Sequence, residues 1–330
     1  MAPASRPSTL PEQRLSDLAL AEPPSGTNTR PDAVVCMIRE TVGDDADARA
    51  IRKATVDVLK TLIERERARI AAAFTETPRD ARKAVRSYTR MTDSVVDIVY
   101  RVATTLLHKN PNPTEGERLA ILAVGGYGRG EMAPCSDVDL LFLMPWKVTP
   151  WAESLIESML YIFWDLHMKV GHASRSVKEC VRLGKEDYTI RTALLEHRFL
   201  IGDRDLADTL AQKLKRDLFR GTAADFIEAK LAERAERHRK QGGQRYMVEP
   251  NVKEGKGGLR DLQTLFWIGK YIHGVDDTAD LVGLGLLTRE EYDRFEAAET
   301  FLMAVRCHLH LAGEKSLAPT RLETQDGIVS

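Results

Sequence analysis

Two aspartates, Asp137 and Asp139, stand one residue apart at the head of the apolar run Val138–Met144. Side chains alternate along a strand, so a strand here turns both carboxylates the same way. Two carboxylates on one face repel each other, and in apolar surroundings the pair is costly unless a cation sits between them. Mg2+ is the natural cation, with Mn2+ as a substitute. It is hard, prefers oxygen, and takes one or two carboxylates when substrate phosphates supply the rest. The residues upstream suit a phosphate chain. Gly125, Gly126, Gly128 and Gly130 let backbone N–H groups approach phosphate oxygens closely, and Arg129 can fork onto them. Ser136 is placed to cap the turn or to contact a metal-bound water.

A glycine-rich loop alone is a weak signal, and so is D-x-D. Together, in the order strand, Gly-Gly, Gly-Arg-Gly, Ser-Asp-x-Asp, strand, they are much stronger. The stretch is not a P-loop, because GxxxxGK[ST] is absent. It is not a dinucleotide fingerprint either, which wants GxGxxG opening a helix and no second carboxylate.

A second basic stretch, "VKEGKGGLRDL", sets Lys253, Lys256 and Arg260 around Gly255, Gly257 and Gly258, with a helix starting near Leu259. Two readings stay open. A glycine turn opening a helix is a ready anion site, with Lys256 and Arg260 on a triphosphate or an acidic partner loop. It is equally a tight connection in which Arg260 and Asp261 lock helices together. Leu265, Phe266, Trp267 and Ile268 behind it read as core, and Leu231–Arg245 as a solvated helix face and loop.

The elements that must hold these residues follow from the periodicity. Apolar residues recur at three- and four-residue spacing over Asp47–Phe74 and again over Arg82–His108, which predicts two amphipathic helices. A turn-rich break covers Lys109–Glu117. Leu119–Val124 and Val138–Met144 read as buried strands, Trp151–Met168 as a helix and Lys169–Arg175 as a third strand. From Ser176 onward the pattern is mostly helical, broken at Pro250–Gly258 and weakly at Gly283 and Gly285. No internal repeat is visible.

The Gly-Arg-Gly and Asp-x-Asp stretch resembles the signature of the DNA polymerase β-type nucleotidyltransferase superfamily. "GGYGRGEMAPCSDVDLLFL" is more closely similar to the N-terminal catalytic region of the bifunctional uridylyltransferase/uridylyl-removing enzymes, which modify the nitrogen regulatory protein PII. Three further stretches carry that likeness: "VGHASRSVKEC", "TALLEHRFLIGD" and "PNVKEGKGGLRDLQTLFWIGKY". The last is also similar to a segment of the glutamine synthetase adenylyltransferases. The resemblance runs over roughly residues 45–313.

The resemblance implies transfer of UMP from UTP to a tyrosine of PII, with release of pyrophosphate. The metal-binding carboxylates fall on Asp137 and Asp139 and the phosphate loop on Gly125, Gly126 and Arg129. An α+β fold follows, with a small mixed-sheet core at 115–205. A helical extension at 33–114 precedes it, a helical domain at 206–313 follows, and the ends are a disordered leader at 1–32 and a divergent tail at 314–330.

Two departures stand out. Gly126 occupies the position of the superfamily's serine, so a phosphate contact there is made by backbone. The third carboxylate, expected on a neighbouring strand, is absent from "KVGHASR", where His172 is the nearest polar residue, an accessory group or simply a hydrogen-bonded structural histidine. A tyrosine phenol, with a pKa near ~10, needs less help from a base than a sugar hydroxyl. The sequence holds no His-Asp pair of the kind the removing domain uses and ends before glutamine-sensing domains would begin. A truncated product without removal or glutamine control is therefore expected. The alternatives are another nucleotidyltransferase, such as one that adenylylates a protein, or a non-catalytic remnant that binds PII or nucleotide.

The bulk properties agree with a cytoplasmic enzyme. The 330 residues carry 48 Lys+Arg against 49 Asp+Glu, a balance that argues against a nucleic-acid partner or a membrane surface. No apolar run is long enough to span a bilayer. The four cysteines are scattered and form no CxxC, which suggests neither a zinc ribbon nor a disulfide framework.

Overall fold

The computed structural model describes residues 30–241 and 251–315. The predicted leader, 1–32, lies outside the described residues except for its last three. Those begin helix α1 (Arg30–Val42), where Asp32 pairs with Arg101. The predicted tail, 314–330, also lies outside them except for Glu314 and Lys315, which end the helix Arg289–Lys315.

Helices α2 (Ala48–Glu76) and α3 (Ala81–Val102) are the two amphipathic helices expected from the spacing. Asp47 and Asp80 cap them, each accepting a backbone N–H from the first turn. Strand β1 (Ala120–Ala123) leads into a single helical turn, Gly125–Gly128, and then to β2 (Val138–Met144). Helix α4 (Pro150–Asp165), with Thr149 as cap and Pro150 in its first turn, crosses over to β3 (Val170–Ser176). Helix α5 (Val177–Glu186) opens on a Ser176–Glu179 capping box, and α6 (Tyr188–Leu195) follows it. The fourth strand, β4 (Arg198–Gly202), runs into α7 (Arg204–Leu214). Helices α8 (Ala223–Gln241), α9 (Leu259–His273) and α10 (Arg289–Lys315) follow, with one further helical turn at Asp280–Gly283.

The sheet order is β3-β2-β1-β4. β1 is antiparallel to β2 and β4, and β2 is parallel to β3, so the sheet is mixed and the class is α+β as expected. β4 was not anticipated. Its five residues fall between two helices and carry no alternation long enough to signal a strand.

Both faces of the sheet are covered, which is why β1 and β2 are near-continuous apolar runs. Ile121, Ala123, Leu140 and Phe142 pack toward the N-terminal helices, and Ala120, Leu122, Leu141 and Leu143 toward α5 and α7. A separate cluster of Leu195, Phe226, Trp267 and Tyr271 ties α8 and α9 to the end of α6. Among the described residues no helix is long and apolar enough to cross a membrane.

Candidate functional site

Antiparallel pairing brings the end of β1 beside the start of β2, with Ala123 opposite Leu140. The Val124 N–H donates to the Asp139 carbonyl at 3.1 Å. The glycine turn and the two aspartates therefore share one end of the sheet. Gly125 has φ +58°, and a Cβ there would stand 3.4 Å from Asp139 Oδ2. That backbone conformation favours glycine, and the distance puts the turn in contact with the carboxylate. The N–H groups of Gly125 and Gly126 head the helical turn, where no carbonyl of the turn itself reaches them.

Asp137 and Asp139 open into a cavity of about 520 Å³ with Gly125, Gly126 and Ser136 on the same wall. Burial, and then the neighbouring Asp137 charge, push the Asp139 carboxyl up to about 6, while Lys253 works against the rise. Ser136 closes the turn before the aspartates, its Oγ accepting the Ala133 N–H at 3.0 Å, which is the capping role expected of it.

The opposite wall comes from the helical segment. Lys230 and Arg237 reach it from α8, Lys253 and Glu254 from the loop, and Arg260 and Trp267 from α9. Lys230 is buried, bonded to Glu233 at 2.7 Å, with its ammonium 5.3 Å from the Trp267 ring centre. Arg260 is held by Glu254 at 2.9 Å and by Gln263 at 3.0 Å. Sequence reasoning passed over Lys230 and assigned Arg237 to a solvated face. The available signal was their seven-residue spacing, which puts both on one side of α8.

Arg129 lines the same cavity, but its guanidinium is already engaged. Its Nε donates to Glu131 at 2.7 Å and its Nη1 to Glu196 at 2.5 Å, and the side chain is only 10% exposed. Burial works against its charge, and the two carboxylates more than restore it. A guanidinium already paired twice belongs first to the architecture of the turn.

The glycine turn before α9 is settled by its hydrogen bonds. The Leu259 and Arg260 N–H groups donate to the Val252 and Lys253 carbonyls, at 3.0 and 2.9 Å. Asp261 accepts the Gly257 N–H at 2.8 Å. The backbone donors of an anion site are thus spent, and the tight connection is the reading that holds. Asp261 does the locking expected of it, meeting Arg234, Arg237 and His238 of α8. The same fold-back corrects the choice of lysine. Lys256 is exposed and takes no part in the cavity lining, whereas Lys253 does.

His172 is not brought to the aspartates. Parallel pairing sets Gly171 beside Asp139 and His172 beside Leu140, so His172 shares the other face and packs edge-on to Phe142 at 6.5 Å. A smaller cavity of about 300 Å³ passes both Asp139 and His172 along the sheet edge.

The donor set fits a hard divalent cation. It is all oxygen, and Asp139 is disfavoured as an anion where it stands, which an added cation would relieve. Among the described residues no group of three or more His, Cys, Asp or Glu side chains could hold a metal ion. Two carboxylates would be the protein's share of such a site, with a substrate's phosphates completing the shell.

Residues 225–322 match the family profile described as GlnD PII-uridylyltransferase, and residues 5–161 match that of glutamate-ammonia ligase adenylyltransferase. A bifunctional uridylyltransferase/uridylyl-removing enzyme of Ruegeria pomeroyi is 60% identical over 279 residues, which is 84% of this chain and 31% of that protein. The protein of the same name from Cereibacter sphaeroides is 64% identical over 243 residues, 74% of this chain and 26% of its own length. That of Novosphingobium aromaticivorans is 51% identical over 259 residues, 78% and 28% respectively. The chain thus spans no more than about a third of the curated relatives it matches.

Proposed function

From the premise that the chain belongs, over the part it spans, to the bifunctional uridylyltransferase/uridylyl-removing enzyme family, we propose that it transfers UMP from UTP to a tyrosine of PII. The tyrosine oxygen attacks the α-phosphorus. The bond from that phosphorus to the bridging oxygen of the β-phosphate breaks, pyrophosphate leaves, and the phenolic proton passes to solvent. The observation that carries the reading is a single cavity with Asp137, Asp139 and the glycine turn on one wall and Lys230, Lys253 and Arg260 on the other.

Asp137 and Asp139 would hold Mg2+, which supplies charge neutralisation for the phosphates when bound. The other roles belong to the chain. The Gly125 and Gly126 N–H groups face the phosphate chain from the sheet side, and Lys253 faces it from the helical side. Arg260 lines the same side of the cavity, steadied by Glu254 and Gln263. With its carboxyl at about 6, Asp139 is mostly ionised at neutral pH and open to a cation. Preorganised charge of this kind acts where charge builds up in the transition state.

The test is incubation with labelled UTP, Mg2+ and PII. Asp137→Asn and Asp139→Asn should each abolish transfer while the protein stays folded. Near-parental turnover by either variant at saturating Mg2+ would show the metal carboxylates to be misassigned. The match at residues 5–161 to an adenylyltransferase profile favours a second reading, protein adenylylation. Parallel assays with ATP separate the two. Binding of UTP or PII with no pyrophosphate released would mean a non-catalytic remnant.

A further inference from the structure

The two walls of the cavity meet at one buried carboxylate. Glu196 lies just past the end of α6, with its side chain only 2% exposed. Its Oε1 accepts from Arg129 Nη1 at 2.5 Å, and the same oxygen accepts from Trp267 Nε1. Arg129 follows the glycine turn, and Trp267 belongs to α9. One oxygen atom therefore joins the sheet-side wall to the helical wall.

The backbone repeats the join. A Cβ on Gly128 would stand 2.0 Å from the Glu196 carbonyl oxygen, so the turn rests directly on the residue that holds its arginine. On its other side the turn is held by Arg198, which donates to the Gly128 and Tyr127 carbonyls at 3.3 Å and pairs with Asp93 at 2.9 Å. Trp267 lies among cations, with Arg129, Lys230 and Arg260 at 5.9, 5.3 and 5.3 Å from its ring centre. A buried carboxylate is costly unless it is paired and hydrogen-bonded, and Glu196 is both.

We propose that Glu196 is a positioning residue for nucleotide transfer, fixing the glycine turn against α9 through Arg129 and Trp267. This rests on the nucleotidyl-transfer reading. Glu196 touches no reacting atom. Its work is to hold the Gly125 and Gly126 N–H groups at one distance from the Lys253 and Arg260 side of the cavity. Its charge also offsets Arg129. Replacing it with an amide keeps an acceptor for Trp267 but leaves a less compensated cation beside the triphosphate. Ground-state attraction for UTP is then kept or raised, while alignment in the transition state is lost.

The experiment has two arms on the full chain. Amide hydrogen exchange without nucleotide reads the join itself. Steady-state transfer from UTP·Mg2+ to PII reads its consequence. In Glu196→Gln, exchange over the glycine turn and over α9 should both quicken by about tenfold or more. kcat should fall by about tenfold or more while the KM for UTP stays the same or drops. Trp267→Phe should quicken exchange in α9 and leave the turn protected by the remaining Arg129–Glu196 pair, which keeps the proposal open to test if the first variant misfolds. Unchanged protection of the turn in Glu196→Gln, or a raised KM at unaltered kcat, would overturn it. Should the parental chain transfer nothing, the transfer reading fails by itself and the exchange arm still decides whether Glu196 joins the walls.

Discussion

Gly171 lies beside Asp139 in the parallel pairing of β3 with β2, and a Cβ on Gly171 would stand 2.5 Å from Asp139 Oδ1. The strand neighbour that carries no side chain is the one that makes room for the carboxylate. Gly171→Ala should therefore displace Asp139 while sparing the fold, since β3 is the edge strand and the atom in the way is a carboxylate oxygen rather than backbone. A shifted ligand costs on the order of tenfold to a hundredfold in turnover. Mg2+ titrations of transfer should show a raised metal requirement. An unaltered requirement would mean that Asp139 does not hold the ion.

Asp139 also predicts a pH dependence. Its carboxyl titrates at about 6 in the folded chain against an ordinary 3.8, because of burial, then Asp137, with Lys253 opposing. Below about pH 3 folded and unfolded states both hold the proton. As pH rises toward 6 the unfolded state releases it first, so this group's contribution to stability falls by on the order of 2–3 kcal/mol. Asp139→Asn should then raise the melting temperature of chelated, metal-free protein at pH 7.5, and by only about half as much at pH 5. Transfer by the parental chain should decline as pH drops toward 6, where protons compete with the metal. Equal melting shifts at both pH values would remove the basis for this.

The two lysines of the loop should separate cleanly. Lys253 lines the cavity and Lys256 does not. Lys253→Met should weaken UTP binding by about tenfold or more, as expected for loss of a charge-assisted contact to phosphate. Lys256→Met should stay within about twofold, the behaviour of an exposed charge. Calorimetry with UTP·Mg2+ gives both numbers, and the reverse ranking would refute the lining.

Asp261 should matter for stability. It accepts from the Gly257 N–H at the head of α9 and meets Arg234, Arg237 and His238 of α8. Asp261→Asn removes the charge facing those cations and should cost about 2–3 kcal/mol. Urea denaturation should show an earlier midpoint. An unmoved midpoint would put the cluster among surface ion pairs of little worth.

The sequence by itself determined the parts whose signal is local. The apolar runs of β1 and β2, the glycines between them, the Asp137 and Asp139 pair, the Ser136 cap and the long helices α2 and α3 all follow from period, propensity and capping within a few residues. It also displayed the loop of Lys253, Lys256 and Arg260, without saying which cation it would turn inward. Tertiary structure decided that, because the α9 amides bond back to the Val252 and Lys253 carbonyls and fold the loop so that Lys253 lines the cavity and Lys256 does not. It likewise decided that Arg129 is held by Glu131 and Glu196, that Lys230 and Arg237 line the site, and that Gly171 rather than His172 is the strand neighbour of Asp139. These residues are set by partners far away in the chain, as Arg129 and Glu196 are by a contact across 67 residues. Charge type and spacing carry no record of such a partner. Only packing the helical segment against the sheet chooses which ions are held against each other and which of them line the cavity.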